Sequence, residues 1–329
     1  MGKKIKWGIM GCGKIAHSFA EDLKVLPDAE LYAVASKTPG KAEGFAGTYG
    51  IQEFYQNYVE LVNNPNIDVV YIATTNNLHY DNALLCLNHG KHVLCEKPFT
   101  INADQANSLV KAAREKKLFL MEAMWTRFFP CIVELNRILE EKQIGDVKML
   151  RADFGISREP DPTDRKINPD LGGGALLDLG IYPISFASMI FKRPPSKIIS
   201  SAFLGKTGVD EQSSYVFEYD NGKMALMFSS FLSDTPHEAL ISGTKGYIRI
   251  PDFFHPSRMF VNINGQERVI EKKHESKGYN FEAQEVMNCI LSGRVESDII
   301  PLDETVAIIK VLDELRSQWG IRYPEESSS

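Results

Sequence analysis

Three short stretches bring together residues whose types and spacing suit chemistry. The first is Gly8-Ile-Met-Gly11-Cys-Gly13-Lys14-Ile15-Ala16, a G-x-G-x-x-A pattern. It follows a short apolar run and opens a helical stretch, the context in which such a pattern signals dinucleotide binding. Gly11 allows the tight turn, and Gly13 lets backbone approach a pyrophosphate. The helix start at Lys14 and Ile15 offers free N–H groups to that anion, and Ala16 keeps helix and strand close. The second stretch is Cys95-Glu96-Lys97-Pro98, at the C-terminal end of a predicted strand, where open α/β sheets bind ligands. A lysine there can polarise a hydroxyl or carbonyl and lower a neighbour's pKa, although Glu-Lys-Pro also makes a plain polar turn. Pro98 is a position where a cis bond would fit. The third runs from Gly172 through Asp178 and Tyr182 to Pro183. Asp178 and Tyr182 are spaced to share one helix face. Asp178 is a lone carboxylate among Leu176, Leu177, Leu179 and Ile181, a costly setting for a charge without a partner or a task. A structural partner for Asp178 and a core position for Tyr182 fit the residues equally well. Pro183 implies a kink or a late helix start.

Other residues bear on cofactor and pocket. NAD enzymes usually place Asp or Glu at the end of the second strand, on the adenosine ribose. Here the residues are Ser36-Lys37-Thr38, with no acid. Two hydroxyls and an ammonium suit a 2′-phosphate, so NADP is expected over NAD, while a merely solvated Lys37 would leave both acceptable. Thr74-Thr75-Asn76-Asn77-Leu78-His79 follows another predicted strand and could touch the cofactor; His79 could equally just begin a helix. The aromatic run from Met121 to Pro130, with Trp125 and Arg127, fits a pocket lining or simple core.

The elements that must position these residues alternate. Strands are expected at 5–10, 29–35, 52–55, 68–73, 92–95 and 118–122, with helices at 15–26, 41–49, 58–63, 79–88 and 103–116. Such alternation implies right-handed βαβ units and a doubly wound parallel sheet. Beyond residue 123 the pattern becomes strand-rich, with hairpin signals at Asp220-Asn-Gly222 and Asn264-Gly265 and two helices, 281–291 and 303–319. The expected fold is therefore α/β: a Rossmann dinucleotide-binding domain over 1–123, and an α+β substrate and oligomerisation domain over 124–329 with an open, mostly antiparallel sheet. The tail 324–329 is expected to be disordered.

Composition narrows the class. The chain has 329 residues, 43% hydrophobic, with a formal net charge of −6 spread along its length. That argues against a nucleic-acid surface, which needs clustered Lys and Arg. The five cysteines form no Cys-x-x-Cys pair, which suits a reducing compartment without zinc. No signal peptide is read at the start and no run is long enough to span a membrane, so the expectation is a cytoplasmic protein without a membrane partner.

The glycine turn, Glu96-Lys97-Pro98 and the 172–182 stretch together resemble the glucose–fructose oxidoreductase / inositol dehydrogenase (Gfo/Idh/MocA) family over nearly the whole chain. Trp125-Thr-Arg127-Phe and Asp178-x-x-x-Tyr182 are most similar to its branch of dimeric dihydrodiol dehydrogenases and glucose–fructose oxidoreductase. Many relatives, inositol dehydrogenases included, carry His where Tyr182 stands, which argues against inositol as substrate. Thr75 is a second departure, since many members have Pro there.

The resemblance implies hydride transfer between a nicotinamide and a carbinol carbon of a sugar, polyol or cyclic diol. Tyr182 would be the general acid/base, Lys97 would bind the reacting oxygen or lower the Tyr182 pKa, and Asp178 would orient the substrate. Glu96 and the loop from Asn76 to His79 would lie near the nicotinamide ribose, and Trp125, Phe154 and Tyr279 would line the pocket. The exposed face of the second sheet commonly builds a homodimer or higher homo-oligomer, and here it would otherwise leave apolar surface uncovered. A catalytically silent cofactor-binding regulator and an NAD-dependent glycosidase are the alternatives on the same fold. The retained Lys97, Asp178 and Tyr182 weigh against the first, and Ser36-Lys37 against the second.

Overall fold

Runs such as Val-Val-Tyr-Ile and His-Val-Leu-Cys-Glu are buried when helices cover both faces of a parallel sheet, and the first part of the chain follows that plan. The computed structural model describes residues 4–159 and 161–326. Strands and helices alternate as β1 (Ile5–Met10), α1 (Lys14–Leu23), β2 (Ala29–Ala35), α2 (Lys41–Tyr49), β3 (Glu53–Tyr55), α3 (Tyr58–Asn63), β4 (Val69–Ile72), α4 (His79–Asn88), β5 (His92–Glu96), α5 (Ala103–Lys116) and β6 (Leu120–Ala123). The strands form one parallel sheet in the order β3-β2-β1-β4-β5-β6. The order reverses between β1 and β4, the crevice where doubly wound sheets bind ligands. Met10 pairs with both Ala35 and Ile72, so the glycine turn, Ser36 and Thr74 all leave the sheet at one edge.

The chain continues with α6 (Pro130–Glu140), β7 (Val147–Gly155), α7 (Ile181–Phe191), β8 (Lys197–Leu204), β9 (Asp210–Tyr219), β10 (Lys223–Ser230), β11 (Ala239–Gly243), β12 (Gly246–Ile250), β13 (Arg258–Ile263) and β14 (Gln266–Glu271). These strands make a second sheet in the order β14-β13-β12-β11-β7-β10-β9-β8, antiparallel except for β7 with β10. One face buries Leu150, Ala152, Tyr215, Phe217, Met227 and Ile241, with α7 packed on β7 and β10. The other face leaves Met149, Ile199, Leu226 and Phe228 exposed. Helices α8 (Tyr279–Leu291) and α9 (Leu302–Trp319) follow.

Two units result, Met1–Trp125 with Glu275–Val306, and Thr126–His274 with Ala307–Ser329. A single cut after residue 123 does not describe this division, because the stretch carrying α8 packs with the first sheet. There Leu120 N–H of the edge strand β6 donates to Val295 O at 3.1 Å.

Several elements differ from the sequence expectation. Helix α6 and strand β14 are additional to the expected elements. Pro324–Glu326 forms a short 3-10 turn, while 327–329 lie outside the described residues. The stretch Pro169–Phe191 is long and apolar enough to cross a membrane on length and composition alone, contrary to the reading of no such run. Its most apolar window is 89% buried inside the protein, which identifies a core segment. Within it, Leu176–Gly180 is a π-helical turn, with Ile181 N–H bonded to Leu176 O, and α7 follows. Pro183 is the third residue of α7 and brings no N–H, so a widened turn, not a late start, absorbs the proline.

Gly180 shows why that turn needs a glycine. A Cβ there would lie 2.6 Å from Tyr215 Oη and 3.0 Å from Ser229 Oγ. Tyr215 is fully buried and donates to Ser229, so it has little room to yield. Gly180→Ala gains up to about 1 kcal/mol of helix propensity but overpacks the contact, at a cost of about 1–3 kcal/mol. Net destabilisation is expected, read as a lower urea midpoint; an unchanged or higher midpoint would refute the close-approach argument.

Candidate active site

The first unit supplies a cradle for an anion. Gly11 has φ 95°, and a Cβ on it would lie 2.6 Å from Ala73 O, so only glycine fits on both counts. A Cβ on Gly13, by contrast, would meet nothing within 4 Å. Gly13 is therefore not needed for internal packing; its bareness leaves the backbone approachable. No side chain caps the start of α1 and no acidic residue sits in its first turn. Gly11, Gly13, Lys14 and Ile15 thus fit the diphosphate of a dinucleotide.

At the end of β2, Ser36 Oγ accepts Thr38 N–H at 3.2 Å, and the exposed Lys37 holds its ammonium 5.1 Å from the centre of the Tyr58 ring. Neighbouring Cys12 is no thiolate: burial pushes its thiol up, against the smaller opposing effects of the Ser36 hydroxyl and Lys41.

Lys97 leaves the same sheet edge at the end of β5, half-buried, with a cis peptide to Pro98. Its backbone N–H donates to Glu96 Oε2 at 3.2 Å, and Glu96 Oε1 accepts the Tyr71 hydroxyl at 2.5 Å. Tyr71 stacks on Phe19 of α1, ring centres 3.9 Å apart. Burial and then the Glu96 carboxylate raise the Tyr71 hydroxyl well above its ordinary range, so it stays a proton donor. Glu96 therefore fixes the Lys97 turn from below.

His79 is fully buried, with Nδ1 2.8 Å from Pro98 O and Nε2 3.2 Å from Thr74 O. It ties the loops after β4 and β5 together. Thr74 Oγ1 accepts Asn82 Nδ2 at 3.1 Å, and Asn76 is buried in the turn before α4. Trp125 and Tyr279 stack face to face, 4.5 Å apart and 3° from parallel.

The second unit assembles an aromatic group around Tyr182, which is 8% exposed. Phe154 meets it edge-on at 5.2 Å and Phe254 at 6.0 Å, while Phe154 and Phe254 stack at 4.4 Å. His237 packs on Phe154 at 4.8 Å and receives its own orientation from Gly155 O, 2.6 Å from Nε2. Asp178 lies in the π-turn with Arg165 Nη1 at 3.5 Å. It thus has both a partner and a buried setting, and it stands with Tyr182 across a π/α junction, not along one regular helix.

Arg127 is 2% exposed and gives its guanidinium to Ser185 O at 2.8 Å and Ser185 Oγ at 3.1 Å. It braces α7, the helix that carries Tyr182. Asp210 Oδ2 accepts Leu176 N–H at 2.8 Å and the Ser213 hydroxyl at 3.1 Å, holding the start of the π-turn.

Sequence reasoning missed Tyr71, Arg165, Asp210, His237 and Phe254. All five lie outside the motifs, and Tyr71 is hidden inside an apolar strand. Only Phe254, in an aromatic Phe253-Phe254-His255 run, left a legible trace.

A diphosphate cradle at the switch point of a parallel sheet, with a lysine at the same edge, defines a nicotinamide-dependent oxidoreductase. Residues 5–124 match the family described as "Oxidoreductase family, NAD-binding Rossmann fold", and residues 132–249 match the GFO/IDH/MocA C-terminal domain. The chain belongs to the GFO/IDH/MocA oxidoreductase family. It is 40% identical to a trans-1,2-dihydrobenzene-1,2-diol dehydrogenase of Xenopus tropicalis over 97% of this chain and 99% of that protein. It is 34% identical to a D-xylose 1-dehydrogenase (NADP(+)) of Hypocrea jecorina over 98% of this chain and 93% of that one. Among solved structures, aldose-aldose oxidoreductase from Caulobacter crescentus superposes with a TM-score of 0.89 at 23% identity, covering 97% of this chain and 98% of that one.

Asp210 makes the support of the π-turn sensitive to pH. Burial pushes its carboxyl from the usual 3.8 up to about 6, against the lowering effect of its hydrogen bonds and of Arg316. The folded state therefore holds this proton more tightly than the unfolded chain, and the contribution is full below about pH 4 and lost as pH rises through about 6. Asp210→Asn keeps the acceptor but cannot ionise. Its stability is expected to rise relative to wild type by about 2–3 kcal/mol between pH 4 and pH 7. Urea unfolding at both pH values checks this; a constant difference would refute it.

Proposed function

We propose that the enzyme moves hydride between nicotinamide C4 and a carbinol carbon of a sugar, polyol or cyclic diol, preferring NADP to NAD. The observation that carries this reading is Lys97: half-buried, braced through Glu96 and Tyr71, and set at the sheet edge that also bears the glycine cradle. The substrate class is supported by the diol and xylose dehydrogenases it resembles. The cofactor preference rests on Ser36-Lys37 and the lack of an acid there.

In this reading Gly11, Gly13, Lys14 and Ile15 hold the diphosphate, Ser36 and Lys37 the 2′-phosphate, and Thr74, Asn76 and Glu96 border the nicotinamide ribose. When bound, the nicotinamide supplies or accepts the hydride. The Tyr182 hydroxyl gives or takes the proton of the substrate hydroxyl, in an aromatic setting that excludes water. The Lys97 ammonium hydrogen-bonds the reacting oxygen and favours Tyr182 ionisation. Asp178 orients the substrate hydroxyls, and Trp125, Phe154 and Tyr279 shape the pocket. Arg127 and His79 act one step back, by holding α7 and the Lys97 turn.

The exposed apolar face of the second sheet (Met149, Ile199, Leu226 and Phe228) supports a homo-oligomer built through it. The cysteines, all free and mostly buried, support a cytoplasmic location, which cell fractionation checks.

The central test is reduced-nicotinamide absorbance across a panel of sugars, polyols and cyclic diols, with NADP and NAD. Turnover with some member is expected; glycoside cleavage without net reduction, or cofactor binding without turnover, would overturn the reading. On a working substrate, Lys97→Ala and Tyr182→Phe are each expected to lower kcat/KM by roughly 10²–10⁴-fold with cofactor affinity little changed. Unaltered turnover in either would remove that residue from the mechanism. Lys37→Ala should weaken NADP but not NAD. Leu226→Arg should shift the sedimentation of the native enzyme to a smaller species, and an unchanged value would exclude this face.

A further inference from the structure

The last turn of α1 carries a carboxylate that reaches far along the chain. Asp22 is 4% exposed, and it accepts three successive backbone N–H groups: Lys277 at 3.0 Å, Gly278 at 2.7 Å and Tyr279 at 2.8 Å. These donors form the start of α8, whose N-cap is Gly278 at φ 113°, a residue with no side chain to cap anything. Asp22 thus does from another helix what an N-cap side chain ordinarily does from within. Beside it, Lys277 Nζ pairs with Glu21 at 2.6 Å and reaches Ser18 Oγ at 3.4 Å.

The acid within α8's own first turn is Glu282, fully buried, with neither carboxyl oxygen hydrogen-bonded among the described residues. Burial, and then Glu96, Asp22 and Glu122, raise its carboxyl far above the ordinary range, so it is held neutral and does not answer the positive end of the helix. That task falls to Asp22. The first helical residue it secures is Tyr279, whose ring lies flat on Trp125.

We propose that Asp22 is a positioning residue for substrate binding: it fixes the Tyr279–Trp125 stack to the helix that cradles the cofactor, giving both a common rigid support. The proposal rests on the reading above that Tyr279 lines the substrate pocket. Asp22 lies at the opposite end of α1 from the glycine cradle, so its effect is exerted through the start of α8.

Asp22→Asn is isosteric but presents an amide N–H where a backbone donor now points. With a substrate from the panel, it is expected to raise KM roughly tenfold while kcat and the NADP dissociation constant stay within about twofold. Tyr279→Ala should raise KM comparably, and the double variant should add little to either single change. If Asp22→Asn does not fold, Gly278→Ala disturbs the same turn, because alanine resists φ 113°, and the same KM shift is expected. An additive double variant, or a folded Asp22→Asn with unchanged KM beside a Tyr279→Ala with raised KM, overturns the proposal alone. Tyr279→Ala with unchanged KM overturns the pocket reading, and the proposal with it.

Discussion

Parallel pairing is the constraint on which the first unit depends. Because every strand of that sheet runs the same way, every strand's C-terminal end emerges at one edge. The uncapped start of α1, the acid-free end of β2, the Thr74 loop and the Lys97 turn are therefore neighbours by topology, whatever their separation in sequence. Local devices refine what topology provides. Gly11 lets the first turn lie against Ala73 O, and His79 spans two loops with its two ring nitrogens.

The second unit solves a different problem, that of holding one phenol still in an apolar setting. Tyr182 follows a widened helical turn that bends around Pro183, and that turn is clamped on three sides. Gly180 lets it close on Tyr215 and Ser229, Asp210 grips its first N–H, and Arg127 fastens the following helix through Ser185. Polar groups buried this deeply are useful only when fully bonded, and here the bonds double as alignment.

Local signals made most of the fold legible. Helix α3 was readable to the residue because Asn57 caps it and Asn64-Pro65 ends it. The β13–β14 turn was readable because Asn264 and Gly265 both take positive φ. Strand β14 was hidden because it is an exposed edge strand with no apolar alternation. Helix α6 carries only a local trace: Pro130 at its first position, then Cys131, Ile132, Leu135 and Ile138 on one buried face. In the site, motif residues stood out because their chemistry is tied to neighbours in sequence. Asp22, Tyr71 and Asp210 did not, because each acts on a partner brought near only by the fold. The Asp22 carboxylate meets N–H groups some 255 residues downstream, a separation no window or motif can span.

The return of residues 275–306 to the first unit also sets an order for biosynthesis. A nascent chain that has made all six parallel strands still lacks the segment that bonds Leu120 and carries Glu296, which pairs with Arg114 of α5 at 3.1 Å. Until that segment leaves the ribosome, the free side of β6 is an open strand edge, able to pair with other chains. The second sheet, encoded between the two halves, emerges whole while the first still waits. The fold so arranged asks the cell to protect an unfinished nucleotide domain for most of its synthesis.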